Sequence, residues 1–231
     1  MVYSHQTTYF SLQFNKSERF STASGFIDHM ELDLHKNDGS ILFTNSTQLQ
    51  TTNGEQTSVV SSGYRSITGF KQLNSSHVVI VDYSESCLRI FNRLDESQVI
   101  LAGTCGTPGS KDGPSAKLFF PHSVEFDKRN PGQLLFTEFG SGSLRSVDLT
   151  SGTVSTVISA GFNFPRGLTW FNSGLLVCNQ HYISEVTWRS DGSAANNTLA
   201  GSTTIGYRNG DFSITLFSFP LKFLSGVTAC F

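Results

Sequence analysis

A short repeat that recurs four times constrains the fold of this chain more than any other feature of its sequence. Each copy is an apolar run closed by an acid or by its amide, and the copies read ILFTN at 41–45, VIVD at 79–82, LLFTE at 134–138 and LLVCN at 175–179. The closing residues recur at intervals of roughly 37 to 56 residues, which suits the four-stranded blade of a β-propeller. The repeat therefore predicts a chain built from successive blades.

Three further strand patterns keep phase with this repeat. A short alternating strand precedes it at 26–34, 123–126 and 167–170. A third strand follows it at 87–91, 143–148 and 184–188, and a fourth strand ends the unit at 98–103, 154–158 and 197–201. We therefore predict an all-β propeller whose complete blades lie near 26–62, 64–103, 119–160 and 162–201.

The two ends of the chain predict incomplete blades. Residues 1–19 contain a strand pattern at 10–14 and a turn, and residues 20–25 have the phase of a fourth strand. Residues 217–231 have the pattern of the first two strands of another blade. About five blade equivalents result, and an unpaired strand edge is usually covered in native proteins. This favours a piece of a larger propeller, with a closed five-bladed disc as the alternative.

Two segments resemble the NHL repeat family of β-propellers: LAGTCGTPGSKDGPSAKLFFPHSVEFD at 101–127 and LLFTEFGSGSLRSVD at 134–148. They contain a glycine-rich loop with Asp-Gly and Ala-x-x-Phe, then a proline, a strand ending in an acid, and Leu-Arg. The resemblance covers roughly residues 20–231. It implies a six-bladed disc of the TolB-like class with a central channel, acting as a protein-interaction or ligand-binding scaffold within a larger protein.

The residues that lead into each innermost strand are the candidates for ligand binding, because propellers most often bind ligands at the channel mouth. Here these residues are Asp28, Arg65, His122 and Arg166. A mixed polar ring of this kind suits an anion or a peptide. The alternative is that these side chains form only a solvated rim.

His122 raises the question of a metal site, because Pro121–Ser123 resembles the zinc-binding segment of the peptidylglycine amidating lyases. A catalytic zinc generally needs about three protein ligands and an open position. The matching positions hold Arg166 and Leu221. We therefore expect no metal, no cofactor and no catalytic residue, and keep a metal-dependent propeller lyase or hydrolase as the alternative.

Two acid and arginine pairs recur with the same spacing of seven residues: Asp82 with Arg89, and Glu138 with Arg145. The spacing places each pair across the turn between the second and third strands of a blade. A carboxylate there can accept hydrogen bonds from turn amides while the arginine offers a charged partner. Since a catalytic acid is not expected to repeat in each blade, we predict a structural role for both pairs.

Cysteines and glycosylation sequons bear on the compartment. Cys87 begins a third strand and Cys105 follows a fourth, so that the two thiols are expected to face each other and form a disulfide in an oxidising compartment. Candidate N-glycosylation sites, each of the form Asn-x-Ser/Thr, lie at Asn15, Asn45, Asn74 and Asn196. Together these features favour an extracellular protein, although the chain begins with no recognisable signal peptide.

The charge and hydropathy of the chain limit its partners. The net charge is −2 and the isoelectric point is near 6.3, which provides no overall field to attract nucleic acid. No apolar run has the length of a membrane helix. A protein or peptide partner is therefore expected, and the NHL module of a ubiquitin ligase or RNA regulator is a further alternative.

Overall fold

The computed structural model describes residues 21–22, 25–26, 29–34, 41–44, 46–52, 56–206, 208–209, 211, 215–218 and 220. These residues form eighteen strands and no helix. None of the residues described therefore belongs to a helix with the length and apolarity needed to cross a bilayer.

The strands form a small hairpin followed by four sheets. The hairpin consists of β1 (Ser21–Thr22) and β2 (Gly25–Phe26). The first sheet contains β3 (His29–Leu34), β4 (Ile41–Thr44), β5 (Leu49–Thr52) and β6 (Thr57–Ser61), and the second β7 (Ile67–Gln72), β8 (His77–Asp82), β9 (Cys87–Asn92) and β10 (Gln98–Ala102). The third contains β11 (Pro121–Phe126), β12 (Gln133–Glu138), β13 (Ser143–Asp148) and β14 (Val154–Ile158), and the fourth β15 (Leu168–Phe171), β16 (Gly174–Cys178), β17 (Tyr182–Trp188) and β18 (Ala194–Gly201).

Each four-stranded sheet is an antiparallel meander in which the strands follow chain order. The first strands of successive sheets are neighbours: β7 contacts β3 and β11, and β11 contacts β15. They therefore form the inner ring, and the fourth strands lie at the outer edge. This is the arrangement of propeller blades, called blades 1 to 4 below.

The second strand of each blade lies between two hydrophobic cores. In β12, Leu134 and Phe136 pack against blade 2, whereas Leu135 packs against Leu175 of blade 4. Successive side chains of a strand point to opposite faces. A strand covered on both faces must be apolar at every position, which explains why the repeats are uninterrupted apolar runs.

The four sheets span 29–61, 67–102, 121–158 and 168–201, and some strand limits within them differ from those expected from the sequence. Within the segment predicted as one strand at 26–34, Phe26 pairs with Ser21 in the hairpin, whereas His29–Leu34 pairs with β4 in blade 1. Adjacent segments pair at little loop-closure cost. In blade 4, β18 begins at Ala194, three residues earlier than predicted. The strands predicted at 10–14 and within 221–231 lie outside the described residues.

Candidate binding site at the channel mouth

The acid that closes the second strand of blade 2 binds the loop that leads into that blade. Asp82 is fully buried, and its carboxylate accepts hydrogen bonds from the backbone N–H groups of Arg65 and Ser66 at 3.2–3.3 Å. Nε of Arg89 lies 3.6 Å from the same carboxylate. Asp82 therefore fixes the start of the inner strand.

Glu138 performs the same task in blade 3 with more partners. Its buried carboxylate accepts from the backbone N–H of Phe119 at 3.0 Å and from Nη1 of Arg145 at 2.5 Å. The hydroxyls of Ser141 and Ser143 donate to its other oxygen at 2.7 and 3.1 Å. These partners come from the lead-in loop, from the turn after β12 and from the start of β13, so that Glu138 links all three at this end of the blade.

Blade 4 keeps this contact with an uncharged residue. Oδ1 of Asn179 accepts from the backbone N–H of Asn163 at 3.0 Å, and its Nδ2 donates to the hydroxyl of Ser184 at 2.9 Å. An amide both accepts and donates. Asn179 therefore needs no arginine partner, and the position equivalent to Arg145 is occupied in this blade by the apolar Val186.

Arg145 also binds the glycine-rich loop between blades 2 and 3. Its guanidinium donates to the carbonyls of Lys111 and Lys117 at 2.8 and 2.9 Å, and to Asp112 at 2.7 Å. Asp112 in turn accepts from the backbone N–H of Thr156, in the outer strand, at 2.9 Å. This loop is thus attached to the third and fourth strands of blade 3, which is a structural role.

Two phenylalanines in the lead-in loops have a strained backbone. Phe120 and Phe164 have φ values of 53° and 49° and each precedes a proline, Pro121 and Pro165. A bulky residue with positive φ is uncommon and costs about 1–3 kcal/mol. The backbone N–H of Phe139 donates a hydrogen bond to the Phe120 carbonyl at 2.9 Å, and this bond helps to hold the first of these loops. A phenylalanine with positive φ thus precedes the first strand in two successive blades.

These two phenylalanines belong to a continuous patch of five rings and one guanidinium, which we call the mouth cluster. Its members are Tyr83, Phe120, His122, Phe139, Phe164 and Arg166. Tyr83 lies 5.1 Å from Phe120 and 5.8 Å from Phe139 between ring centroids, and Phe139 lies 4.8 Å from Phe164. These separations are those of favourable aromatic pairs. Phe164 is 43% exposed and so presents apolar surface to solvent.

His122 belongs to the packing of this cluster. It is buried, and its ring lies 5.9 Å from that of Tyr83 and 6.2 Å from that of Phe139. No group of three His, Cys, Asp or Glu side chains that could hold a metal ion occurs among the residues described.

Arg166 adds a cation to the aromatic surface. Its guanidinium carbon lies 5.5 Å from the centroid of the Phe139 ring, within the range of a cation–π contact. Burial lowers the pKa of Arg166, and the neighbouring Tyr83 partly opposes this. Burial also raises the pKa of Tyr83, which Arg166 partly opposes. The guanidinium remains protonated, since arginine is not deprotonated in proteins.

Of the four residues predicted to line the channel mouth, two lie together in the mouth cluster. His122 and Arg166 meet in the mouth cluster, around Phe139. Arg65 does not join them: its side chain is 75% exposed and lies 3.3 Å from Glu85, a contact that water weakens. Asp28 lies outside the described residues.

Sequence reasoning missed the aromatic members of the cluster. Two patterns could have identified them. A phenylalanine precedes the lead-in proline at Phe120 and Phe164, and an aromatic residue follows the closing acid at Tyr83 and Phe139. Each pattern occurs at two successive blades, and each therefore predicts that its two aromatic residues lie on one common face.

The predicted disulfide between Cys87 and Cys105 is present, with a Cα–Cα distance of 5.1 Å. It joins the start of β9 to the loop after β10, close to Tyr83. Of the sequons, Asn74 lies in an exposed turn, whereas Asn196 lies in β18 and its Nδ2 donates to the Gly161 carbonyl at 2.8 Å. Asn15 and Asn45 lie outside the described residues.

Comparison with known proteins defines the class of fold. No family model matches the sequence, and no curated protein matches it. An auxiliary nutrient binding protein from Bacteroides ovatus superposes with a TM-score of 0.64 at 14% identity, covering 81% of this chain and 45% of that one. Its counterpart from Bacteroides thetaiotaomicron gives 0.63 at 13% identity, with coverages of 82% and 46%.

A third solved structure is virginiamycin B lyase from Staphylococcus aureus, with a TM-score of 0.52 at 15% identity and coverages of 71% and 53%. Identities this low show the fold alone. The chain is thus a β-propeller, and it spans less than half the length of the two nutrient-binding proteins that it resembles.

Proposed function

We propose that this chain is a non-catalytic binding module, part of a six-bladed NHL-type propeller of an extracellular protein, whose mouth cluster binds a peptide segment of a partner protein. The observation that carries this proposal is the exposed aromatic patch built by equivalent loops of successive blades. Aromatic rings and arginine are the residues that contribute most to binding energy at protein interfaces. Phe164 and Arg166 supply both kinds of group side by side.

The strained backbone at Phe120 and Phe164 supports the same proposal. Packing alone does not require a phenylalanine with positive φ, and strain of this kind clusters at ligand clamps and active sites. Glu138 and Asn179 hold these two loops in place, because they accept hydrogen bonds from the backbone N–H groups of Phe119 and Asn163. The rings are therefore ordered before a partner arrives, which reduces the entropy that binding must overcome.

The nutrient-binding proteins among the structural neighbours are compatible with a binding role. A lyase shares the same fold, and His122 lies at the mouth. A metal-dependent lyase is therefore the second candidate. Elemental analysis of purified protein distinguishes the two: stoichiometric zinc or calcium that is lost on His122→Ala would favour the lyase.

The binding proposal can be tested with a pair of matched variants. Phe164 and Phe171 are exposed to nearly the same extent, 43% and 40%. Phe164 belongs to the mouth cluster, whereas Phe171 ends β15 at the opposite end of blade 4. Each variant, Phe164→Ala or Phe171→Ala, removes one exposed ring, so that a difference between them reports position and not general loss of apolar surface.

Peptides would first be selected from a random display library on the unmodified protein. Their affinity would then be measured by fluorescence anisotropy. We expect Phe164→Ala to weaken binding by about tenfold or more, because loss of a central aromatic contact costs about 2 kcal/mol, and Phe171→Ala to leave it unchanged. Equal effects of the two variants, or a failure to enrich any peptide, would contradict the proposal.

A further inference from the structure

A cavity lies at the opposite end of the strands from the mouth cluster. It occupies the groove between blades 3 and 4 and has a volume of about 360 Å³, within the usual range of about 300–1,000 Å³ for ligand pockets. Its walls come from the turn after β11, from β13 and β14, and from the turn between β17 and β18. We refer to it as the interblade groove.

An ordered ion pair forms one wall of the interblade groove. The carboxylate of Asp127 is buried and accepts from Nε and Nη2 of Arg129 at 3.1 and 2.7 Å. It also accepts from the backbone N–H of Arg129 at 2.9 Å and from Nδ2 of Asn130 at 2.8 Å. Both carboxylate oxygens are thus occupied, and the guanidinium is held by two bonds in one plane.

An aromatic wall faces this ion pair. The guanidinium carbon of Arg129 lies 3.7 Å from the centroid of the Trp188 ring in blade 4, which is close stacking for a planar cation. Trp170 lies 5.5 Å from Trp188, and its Nε1 donates to the Phe126 carbonyl of blade 3 at 2.6 Å. The groove is therefore built from two blades that are linked across it.

The polar groups left over in the groove are both donors and acceptors. Among the residues described, none accepts a hydrogen bond from Nη1 of Arg129, and none pairs with the side-chain amide of Gln133 or with Oδ1 of Asn130. Arg129 thus offers donors, Asn130 an acceptor, and Gln133 both. The charge of Arg129 is balanced by Asp127.

This combination points to a particular chemistry. A multiply charged anion is disfavoured because Asp127 already neutralises the arginine at 2.7 Å. A hydroxyl group, in contrast, donates and accepts at the same atom and so matches a wall with both kinds of group. The carbon atoms of Trp188 that line the groove add apolar surface, against which the C–H groups of a sugar ring can pack. We propose that the interblade groove binds a neutral saccharide residue, independently of the mouth cluster.

The test measures binding of free hexoses, namely glucose, galactose, mannose and N-acetylglucosamine, by saturation-transfer NMR and titration calorimetry. Inorganic phosphate serves as the charged comparison. The concentration should be about 10 mM, at which a Kd on the order of 1 mM gives nearly full occupancy. We expect at least one hexose to bind, and to bind more tightly than phosphate.

Four variants locate the site. Gln133→Ala removes groove hydrogen bonds without disturbing the ion pair and should weaken hexose binding by about five- to tenfold. Arg129→Gln should weaken it further, with folding checked by thermal melting. Lys128→Gln, in the same turn but outside the groove lining, and Phe164→Ala in the mouth cluster should leave it unchanged.

Several results would overturn the inference. They are the absence of binding by all four hexoses, tighter binding of phosphate, or hexose binding that survives Gln133→Ala. Loss of hexose binding in Phe164→Ala would place the sugar at the mouth and would also exclude the groove. Because peptide binding is expected to depend on Phe164 and hexose binding on Gln133 and Arg129, failure of one proposal is distinguishable from failure of the other.

Discussion

Replacing Arg145 by methionine tests how the blades hold their connecting loops. The side chain is 1% exposed and donates to Glu138, to Asp112 and to the Lys111 and Lys117 carbonyls. Methionine has similar length but cannot donate. The change therefore removes the bonds to the glycine-rich loop and leaves the fully buried carboxylate of Glu138 without its charged partner.

The expected cost follows from that unpaired carboxylate. Removing one partner of a buried ion pair costs about 3–5 kcal/mol, and the lost loop contacts act in the same direction. Arg89→Met is the matched control in blade 2. Arg89 is 22% exposed and lies 3.6 Å from Asp82, beyond hydrogen-bonding distance, so that its loss should cost about 1 kcal/mol.

Urea denaturation measures the free energy of unfolding of both variants. It can be followed by the fluorescence of Trp170 and Trp188 in blade 4, which neither substitution changes. We expect Arg145→Met to reduce the free energy of unfolding several times more than Arg89→Met does. Adding Glu138→Gln to Arg145→Met should recover part of the loss, because it removes the buried charge. Equal costs in the two single variants, or no recovery in the double variant, would refute this reasoning.

Three further predictions concern the surface and the disulfide. Expressed with glycosylation, the protein should carry a glycan at Asn74 but not at Asn196, whose amide is bound to a carbonyl; peptide mapping by mass spectrometry would show the reverse if this is wrong. Burial acts to raise the pKa of Asp112, but the hydrogen bonds from Arg145 and Thr156 together outweigh it, so that this pKa is lowered. Acid should therefore remove its stabilising contribution as the pH falls below about 4 towards the lowered folded-state value, and Asp112→Asn should flatten that loss in pH-dependent denaturation. Cys105→Ser should reduce stability by about 3 kcal/mol, as expected for a closed loop of this length, and an unchanged melting curve would contradict it.

The blades could be predicted from sequence because the apolar pattern has a direct cause. Val79 and Val81 face blade 3 while Val78 and Ile80 face blade 1, so every position of that strand must be apolar. The acid and arginine spacing was informative for a similar reason, because both side chains flank one turn. Contacts that are repeated in successive blades require the same residue types at equivalent positions, and these are visible in the sequence.

The mouth cluster could not be predicted to the same extent. Its members come from lead-in loops and turns of different blades, as with Tyr83 of blade 2 and Phe120 of blade 3. The patterns that relate them become visible only when the sequences of successive blades are aligned. Arg65 looked equivalent to Arg166, yet only Arg166 is half-buried against a ring. The interblade groove was also missed, since Arg129 and Trp188 are distant in sequence and meet only when two blades pack.

The most direct test of the central claim, that the mouth cluster is a binding surface, is hydrogen-exchange mass spectrometry with and without a selected peptide. We expect added protection in four segments that form one end of the strands: 83–86, 119–122, 139–142 and 163–166. Protection confined to the outer strands, to the opposite turns, or to no segment at all would contradict it.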